Sequence, residues 1–136
     1  MISVNKLNVS YKTDSGVARA ITDLDIDVHE GETMGLVGES GSGKSTLGLA
    51  MMRILPKNAQ ILSGSIQVDG TDLMSLSTGK MRRLRGETIS MVFQGAMNSL
   101  NPLMTIERQV SEPLIIHNMA QGEDALERGR EVLRKV

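Results

Sequence analysis

Cysteine is absent from the 136 residues, which excludes disulfides, thiolate metal sites and a thiol nucleophile together and accords with a reducing compartment. An excess of either charge is also missing. The 15 Lys and Arg nearly balance the 16 Asp and Glu, for a formal net charge of -1, so there is no broad basic field of the kind that non-specific nucleic-acid binding needs. No apolar run approaches the ~20 residues that cross a bilayer. Met1 to Lys12 interleave Asn, Lys and Ser with apolar residues, unlike a secretory signal. Any membrane association is therefore expected to come through a partner. No repeat, low-complexity tract or Gly-, Pro- or Ser-rich linker divides the chain, and its length suits one modest domain. Asn8-Val9-Ser10 is a formal glycosylation sequon, but without a secretory signal it reads as part of a strand.

What is present begins with strand patterns. Ile2, Val4, Leu7 and Val9 alternate imperfectly, while Leu24, Ile26 and Val28 alternate cleanly after Ile21; two strands are predicted, joined by the polar turn Thr13 to Gly16. Glu30-Gly31-Glu32 marks a turn, and the short apolar run Thr33 to Val37 has the character of a buried parallel strand. From Lys44, the apolar positions Leu47, Leu49, Ala50, Met51, Ile54 and Leu55 suit a helix that ends before Pro56. Gly64 to Val68 followed by Asp69-Gly70 predicts a strand entering a tight turn. Beyond it come a short basic helix near Lys80 to Arg85, an apolar strand Ile89 to Phe93, a loop Gly95 to Pro102, and helices Ile106 to Asn118 and Glu123 to Val136. The cluster Arg82, Arg83 and Arg85 reads as a solvated helix face in preference to a phosphate or RNA contact. His29 and His117 are expected on solvent-facing surfaces, and two lone histidines lack metal-ligand spacing.

One motif carries chemistry. Gly38-Glu39-Ser40-Gly41-Ser42-Gly43-Lys44-Ser45 fits G-x-x-x-x-G-K-[ST], placed between a predicted strand and a predicted helix. Glycines at 38, 41 and 43 let the backbone wrap closely enough to aim successive N–H groups, including those of Ser40 and Ser42, at one polyphosphate. The opening helix adds the positive end of its dipole. Lys44 supplies a point charge for β- and γ-phosphates, Ser45 a hydroxyl for magnesium, and Thr46 a hydroxyl for the α-phosphate. The alternative, a chance glycine-rich turn, arises in roughly one chain of this length in a few hundred.

The family is narrowed by what surrounds the motif. The D-x-x-G and N-K-x-D elements of small GTPases are missing, and the thirty residues of strand-like sequence before the loop are unlike a nucleotide-monophosphate kinase. The run Val37 to Thr46, the strand Ile89 to Phe93 leading into Gln94, and Ser99-Leu100-Asn101-Pro102 together resemble the ATP-binding subunits of ABC importers, most closely those for oligopeptides and dipeptides. That resemblance covers nearly the whole chain. It implies that Tyr11, the only tyrosine, stacks on adenine, where base–aromatic stacking is worth ~1–3 kcal/mol; the plainer reading is a half-buried strand aromatic. It also implies that Gln94 contacts magnesium and the attacking water at the place where a transmembrane subunit docks, against an ordinary polar loop residue as the alternative. Gly95-Ala96 departs from the acidic residue or Asn and then Pro that often follow this glutamine.

Hydrolysis in that family needs an acidic pair after a second strand, an L-S-G-G-Q signature and a switch histidine, and none is found. Leu62-Ser63-Gly64-Ser65 imitates the signature but precedes Gln94 and reads as a turn, and Leu114-Ile115-Ile116 runs into His117. By comparison with the family, Val136 falls short of the expected signature. The chain is expected to be an N-terminal fragment: an α/β P-loop core over residues 1–94 with an antiparallel β portion at its start, then the beginning of a helical subdomain over 95–136. As the resemblance implies, Lys44 and Gln94 would serve catalysis in the parent protein, with ATP and magnesium as ligands. A second ATPase subunit and transmembrane permease subunits would be its partners at the cytoplasmic face of the cell membrane. Unpaired edges at Thr33 to Val37 and Ile89 to Phe93 would favour self-association. Two alternatives stand beside this reading: a non-transport ABC-type ATPase acting on nucleic acid, and a nucleotide-binding module without turnover.

Overall fold

The computed structural model describes residues 1–95 and 100–136. They form two compact units, Met1–Arg82 and Arg83–Val136. The first contains strands β1 (Ile2–Thr13) and β2 (Gly16–Val28), helix α1 (Lys44–Met51), strands β3 (Ala59–Val68) and β4 (Thr71–Asp72), and a 3-10 turn at Leu73–Ser75. Helix α2 (Thr78–Glu87) begins there and breaks at Arg85 and Gly86, where the backbone leaves helical geometry. The second unit holds α3 (Ile106–Ile116) and α4 (Gly122–Arg134).

The sheet is antiparallel throughout, in the order β2-β1-β3-β4. Its imperfect alternation has a structural cause. Val4, Leu7 and Val9 are all buried although Val4 and Leu7 stand three apart, because the register of β1 against both neighbours shifts between them. Lys6 sits at the shift with φ 45°, next to similar irregularities at Asp23 (φ 45°) and Gly64 (φ 96°). A bulge inserts one residue and restores the inward face beyond it. Asn8 ties the three strands at this line: its amide nitrogen donates to Lys6 O (3.0 Å), Asp23 Oδ1 (2.9 Å) and Ser63 Oγ (3.1 Å), and its oxygen accepts from Asp23 N. With its amide engaged in this way and Ser10 buried, the sequon is a structural element. Burial of Leu7, Ile66, Val68 and Leu73 supplies the core, at ~1.5–3 kcal/mol for each fully buried side chain.

Asp25 clamps the same bulge. Its carboxylate accepts from the Lys6 backbone N–H (2.7 Å) and from the Lys6 ammonium (2.6 Å). The Lys6 side-chain hydrogen bond comes first among the causes that hold the Asp25 carboxyl below its ordinary value, followed by the backbone bond. A depressed folded-state value contributes stability above the unfolded-state value, and the contribution disappears as pH falls through the folded one. Asp25→Asn is therefore expected to melt below the parent chain at pH 7, with the gap closing as pH drops below ~4, the ordinary carboxylate range. Thermal melts of both proteins across that range check it; a gap independent of pH would contradict the role given to Asp25.

Turn chemistry follows the sequence closely. Asp14-Ser15 closes the first hairpin, with Thr13 paired to Gly16. Asp69 (φ 48°) and Gly70 (φ 74°) supply the two positive φ angles that a tight β3-β4 hairpin turn requires. Helix α1 stops earlier than its apolar pattern suggests. Arg53 takes φ 50°, its N–H donates to Ala50 O and that of Ile54 to Leu49 O, a left-handed C-terminal closure. The Arg53 guanidinium then donates to Leu73 O (2.9 Å) and Leu76 O (2.7 Å), fastening the helix end to the 3-10 turn.

Two expected strands are not formed. Thr33 to Val37 has no ladder partner among the described residues, and Leu36 and Val37 are exposed. Ile89 to Phe93 shows one isolated bridge, Arg85 to Ile89, and leaves Val92 exposed. A strand exists only through its neighbours' hydrogen bonds, so apolar character alone did not make one. The expected strand edges for self-association are thus exposed apolar segments without strand geometry. Leu62 to Ser65, expected as a turn, lies inside β3, with Gly64 at the bulge.

In the second unit α3 and α4 pack where Gly129 faces Ser111; a Cβ on Gly129 would lie 3.3 Å from Ser111 Cβ. Arg130 of α4 pairs with Glu107 of α3 and with Glu123 (2.8 Å) and Glu127 (2.6 Å) of its own helix. Asn118 (φ 54°) closes α3. His117 is not on a solvent-facing surface: its side chain is 9% exposed and its Nδ1 lies 3.0 Å from Glu87 Oε1. Gly86 makes room for the ring, since a Cβ there would stand 2.8 Å from His117 Nε2.

Candidate functional site

The loop 38–45 leads into α1 as its residue types require. Ser42 N–H donates to Glu39 O (3.2 Å), closing a turn. Gly41 (φ 84°) and Gly43 (φ 92°) occupy the left-handed region. Gly43 is required twice over, because a Cβ on it would lie 2.5 Å from the Ala20 carbonyl oxygen of β2. This close approach seats the loop on the edge of the sheet. Gly43 is also the N-cap of α1 and makes no side-chain cap bond. The first helical bond runs from Leu47 N to Gly43 O (2.9 Å), so the N–H groups of Lys44, Ser45 and Thr46 have no intrahelical acceptor.

Lys44 folds back into the loop. Its ammonium donates to Gly38 O (2.7 Å), Glu39 O (2.7 Å) and Ser42 Oγ (3.1 Å), which uses all three of its protons. One cation and an uncapped helix start thus share one cradle, a donor set suited to a chain of phosphates. Beside it opens a cleft of ≈ 270 Å³ lined by Ile21, Leu36, Val37, Gly38, Gly43 and Lys44 among others.

Of the residues the sequence singles out, the first unit gathers Tyr11, Gly38 to Ser42, Gly43, Lys44, Ser45 and Thr46. Ser40 and Ser45 are exposed and Thr46 is buried. Tyr11, half-buried on β1, places its hydroxyl 3.1 Å from Thr46 Oγ1. Nothing in the spacing announces that contact. Gln94 belongs to the second unit, where it is exposed in a turn with Gly95 (φ 73°). Ser99 and Ala96 lie outside the described residues, while Leu100, Asn101 and Pro102 precede α3, with Gln109 bonded to the Asn101 backbone at both ends of its amide. Arg82 and Arg83 are exposed and Arg85 half-buried. Among the described residues no group of three or more His, Cys, Asp or Glu is placed to hold a metal.

The sequence pattern of the family described as ABC transporter matches residues 21–135. The chain is 41% identical over all its 136 residues to a Brucella abortus protein named for peptide import and ATP binding, of which it covers 41%. It is 38% identical to the dipeptide transport ATP-binding protein DppD of Lactococcus lactis, with 100% of this chain and 39% of that protein covered. With the oligopeptide transport ATP-binding protein OppD of Escherichia coli it shares 41% identity over 90% of this chain and 36% of that one. Among solved structures, a dimeric bacterial ABC transporter cassette superposes with a TM-score of 0.81 at 27% identity, covering 98% of this chain and 56% of the cassette. The chain spans about two-fifths of the length of the curated relatives it matches.

Proposed function

The chain belongs to the ABC transporter family, and from that premise we propose that it is the ATP-binding portion of a peptide importer's energy-coupling subunit, gripping nucleotide with residues 38–46. The observation that carries this is the Lys44 ammonium set inside the loop beside an α1 start without a side-chain cap. Its charge would exchange the Gly38 and Glu39 carbonyls for β- and γ-phosphate oxygens, a trade of neutral acceptors for ionised ones. Backbone N–H groups of Gly41, Gly43 and Lys44 would complete the cradle, Thr46 would meet the α-phosphate and Tyr11 would lie under the adenine. Ser45 would hold magnesium, and the ion when bound would offset phosphate charge. The names of the relatives support the transport assignment, and the solved cassettes, which are dimers, support a second ATPase subunit as partner.

The proposed division places the nucleotide-binding core at residues 1–94 and the start of the helical subdomain at 95–136. Among the described residues no helix is long and apolar enough to cross a membrane, which is compatible with attachment through permease subunits at the cytoplasmic face.

Among the described residues no strand ends in an acidic pair. With no such pair to orient and deprotonate water, this polypeptide is proposed to bind Mg-ATP without turning it over. Phosphate released from Mg-ATP in its presence should match the protein-free rate. Release well above that rate, abolished by Lys44→Ala, would contradict the proposal and would mean that residues within this chain supply the missing base.

A further inference from the structure

The bond between Tyr11 and Thr46 joins β1 to the first turn of α1 at the cradle. Tyr11 Oη and Thr46 Oγ1 lie 3.1 Å apart in a partly buried setting, and Thr46 is 8% exposed. Either hydroxyl could donate; a phenol is more acidic than an aliphatic hydroxyl, which favours Tyr11 as the donor. The Thr46 oxygen then acts as acceptor and its own proton is left for another group. Among the described residues Tyr11 Oη is within hydrogen-bonding distance of this hydroxyl. A threonine in a helix divides between two side-chain rotamers, because its hydroxyl can instead turn back to a carbonyl three or four residues earlier. An acceptance from Tyr11 selects one of them.

We propose that the Tyr11 hydroxyl is a positioning group for the phosphate chain: by donating to Thr46 Oγ1 it sets the Thr46 rotamer and directs the Thr46 proton toward the anion held by the loop. This rests on the reading of residues 38–46 as a phosphate cradle. It adds to Tyr11 a task that its ring does not perform, since stacking on a base needs only the ring face. The hydroxyl therefore matters for a ligand that has no base.

The test uses inorganic tripolyphosphate beside ATP, both with magnesium, titrated calorimetrically into the chain and its variants. Tyr11→Phe keeps the ring and removes the bond. It should weaken tripolyphosphate and ATP by the same factor, about 5-fold, as expected for one neutral hydrogen bond. Thr46→Val should cost at least as much, Thr46→Ser should retain affinity, and Tyr11→Phe added to Thr46→Val should cost nothing further. Loss for ATP alone would place the hydroxyl at the base or sugar and overturn the inference. Additive losses in the double variant, or undiminished tripolyphosphate binding by Tyr11→Phe, would overturn it as well. Lys44→Ala separates the two levels: if it loses tripolyphosphate while Tyr11→Phe does not, the cradle stands and the positioning role falls. If Lys44→Ala binds tripolyphosphate as the parent does, the cradle itself falls.

Discussion

Lys44→Ala should bind Mg-ATP on the order of 100-fold more weakly than the parent chain, while unfolding at nearly the same temperature. The ammonium makes two backbone contacts and one side-chain contact within the loop, and a polyphosphate would take over that donor capacity. Hydrogen bonds to charged groups contribute ~1.5–3 kcal/mol each, so losing even one or two of them amounts to about 3 kcal/mol, or a factor near 100. Folding is affected less, because the neutral carbonyls of Gly38 and Glu39 stand in exposed loop residues and water replaces the lost donor. Calorimetry with Mg-ATP gives the affinity and a thermal melt gives the stability. Equal affinity with an intact fold would remove Lys44 from the site.

The largest loss of stability is expected from Gly64→Ala. At φ 96° a side chain is strained, and the added Cβ would fall 2.5 Å from Lys6 O, 2.6 Å from Leu7 Cα and 2.7 Å from Asn5 O. All three are backbone atoms of β1. No rotamer change can relieve the overlap; β1 and β3 must separate at the line where Asn8 fastens the sheet. The left-handed conformation costs roughly 1–2 kcal/mol, and parting the strands next to Leu7 adds core loss, for a total of about 3 kcal/mol or more against a typical domain stability of ~5–15 kcal/mol. Gly70→Ala is the control, since Gly70 also has positive φ (74°) but open space around its missing Cβ. Urea unfolding should show a modest decrease for Gly70→Ala and a much larger one for Gly64→Ala. Equal decreases would mean that strain alone matters and that the bulge line does not organise the sheet.

Much of this fold was legible wherever local chemistry decides the outcome. Alternation marked β1 and β2, Asp69-Gly70 marked the β3-β4 turn, and the placing of apolar residues marked α1 and α4. Failures occurred where a distant partner decides. Thr33 to Val37 and Ile89 to Phe93 have strand composition, yet composition reports a wish for burial and not the presence of a neighbour. Gly64 read as a turn because a glycine after Leu62-Ser63 is ambiguous; inside a strand the same residue marks a bulge. Arg53 ended α1 in a conformation that arginine seldom adopts, held by carbonyls twenty and twenty-three positions away. His117 was hidden by a glycine thirty-one positions earlier in the sequence.

The candidate site divides in the same way. Gly41, Gly43 and Lys44 are readable because each must supply a backbone angle or a charge that few residues provide. The seating of Gly43 on the Ala20 carbonyl and the bond from Tyr11 to Thr46, 35 positions apart, depend on how the hairpin meets α1. Neither leaves a periodic trace.

The central claim is that this chain recognises nucleotide through its phosphate tail, and competition calorimetry on the unmodified protein tests it most directly. Mg-ATP should bind at one site per chain, inorganic tripolyphosphate should displace it, and AMP, which carries a single phosphate, should fail to do so at the same concentration. Displacement by AMP but not by tripolyphosphate, or no binding of Mg-ATP at millimolar concentration, would contradict the account.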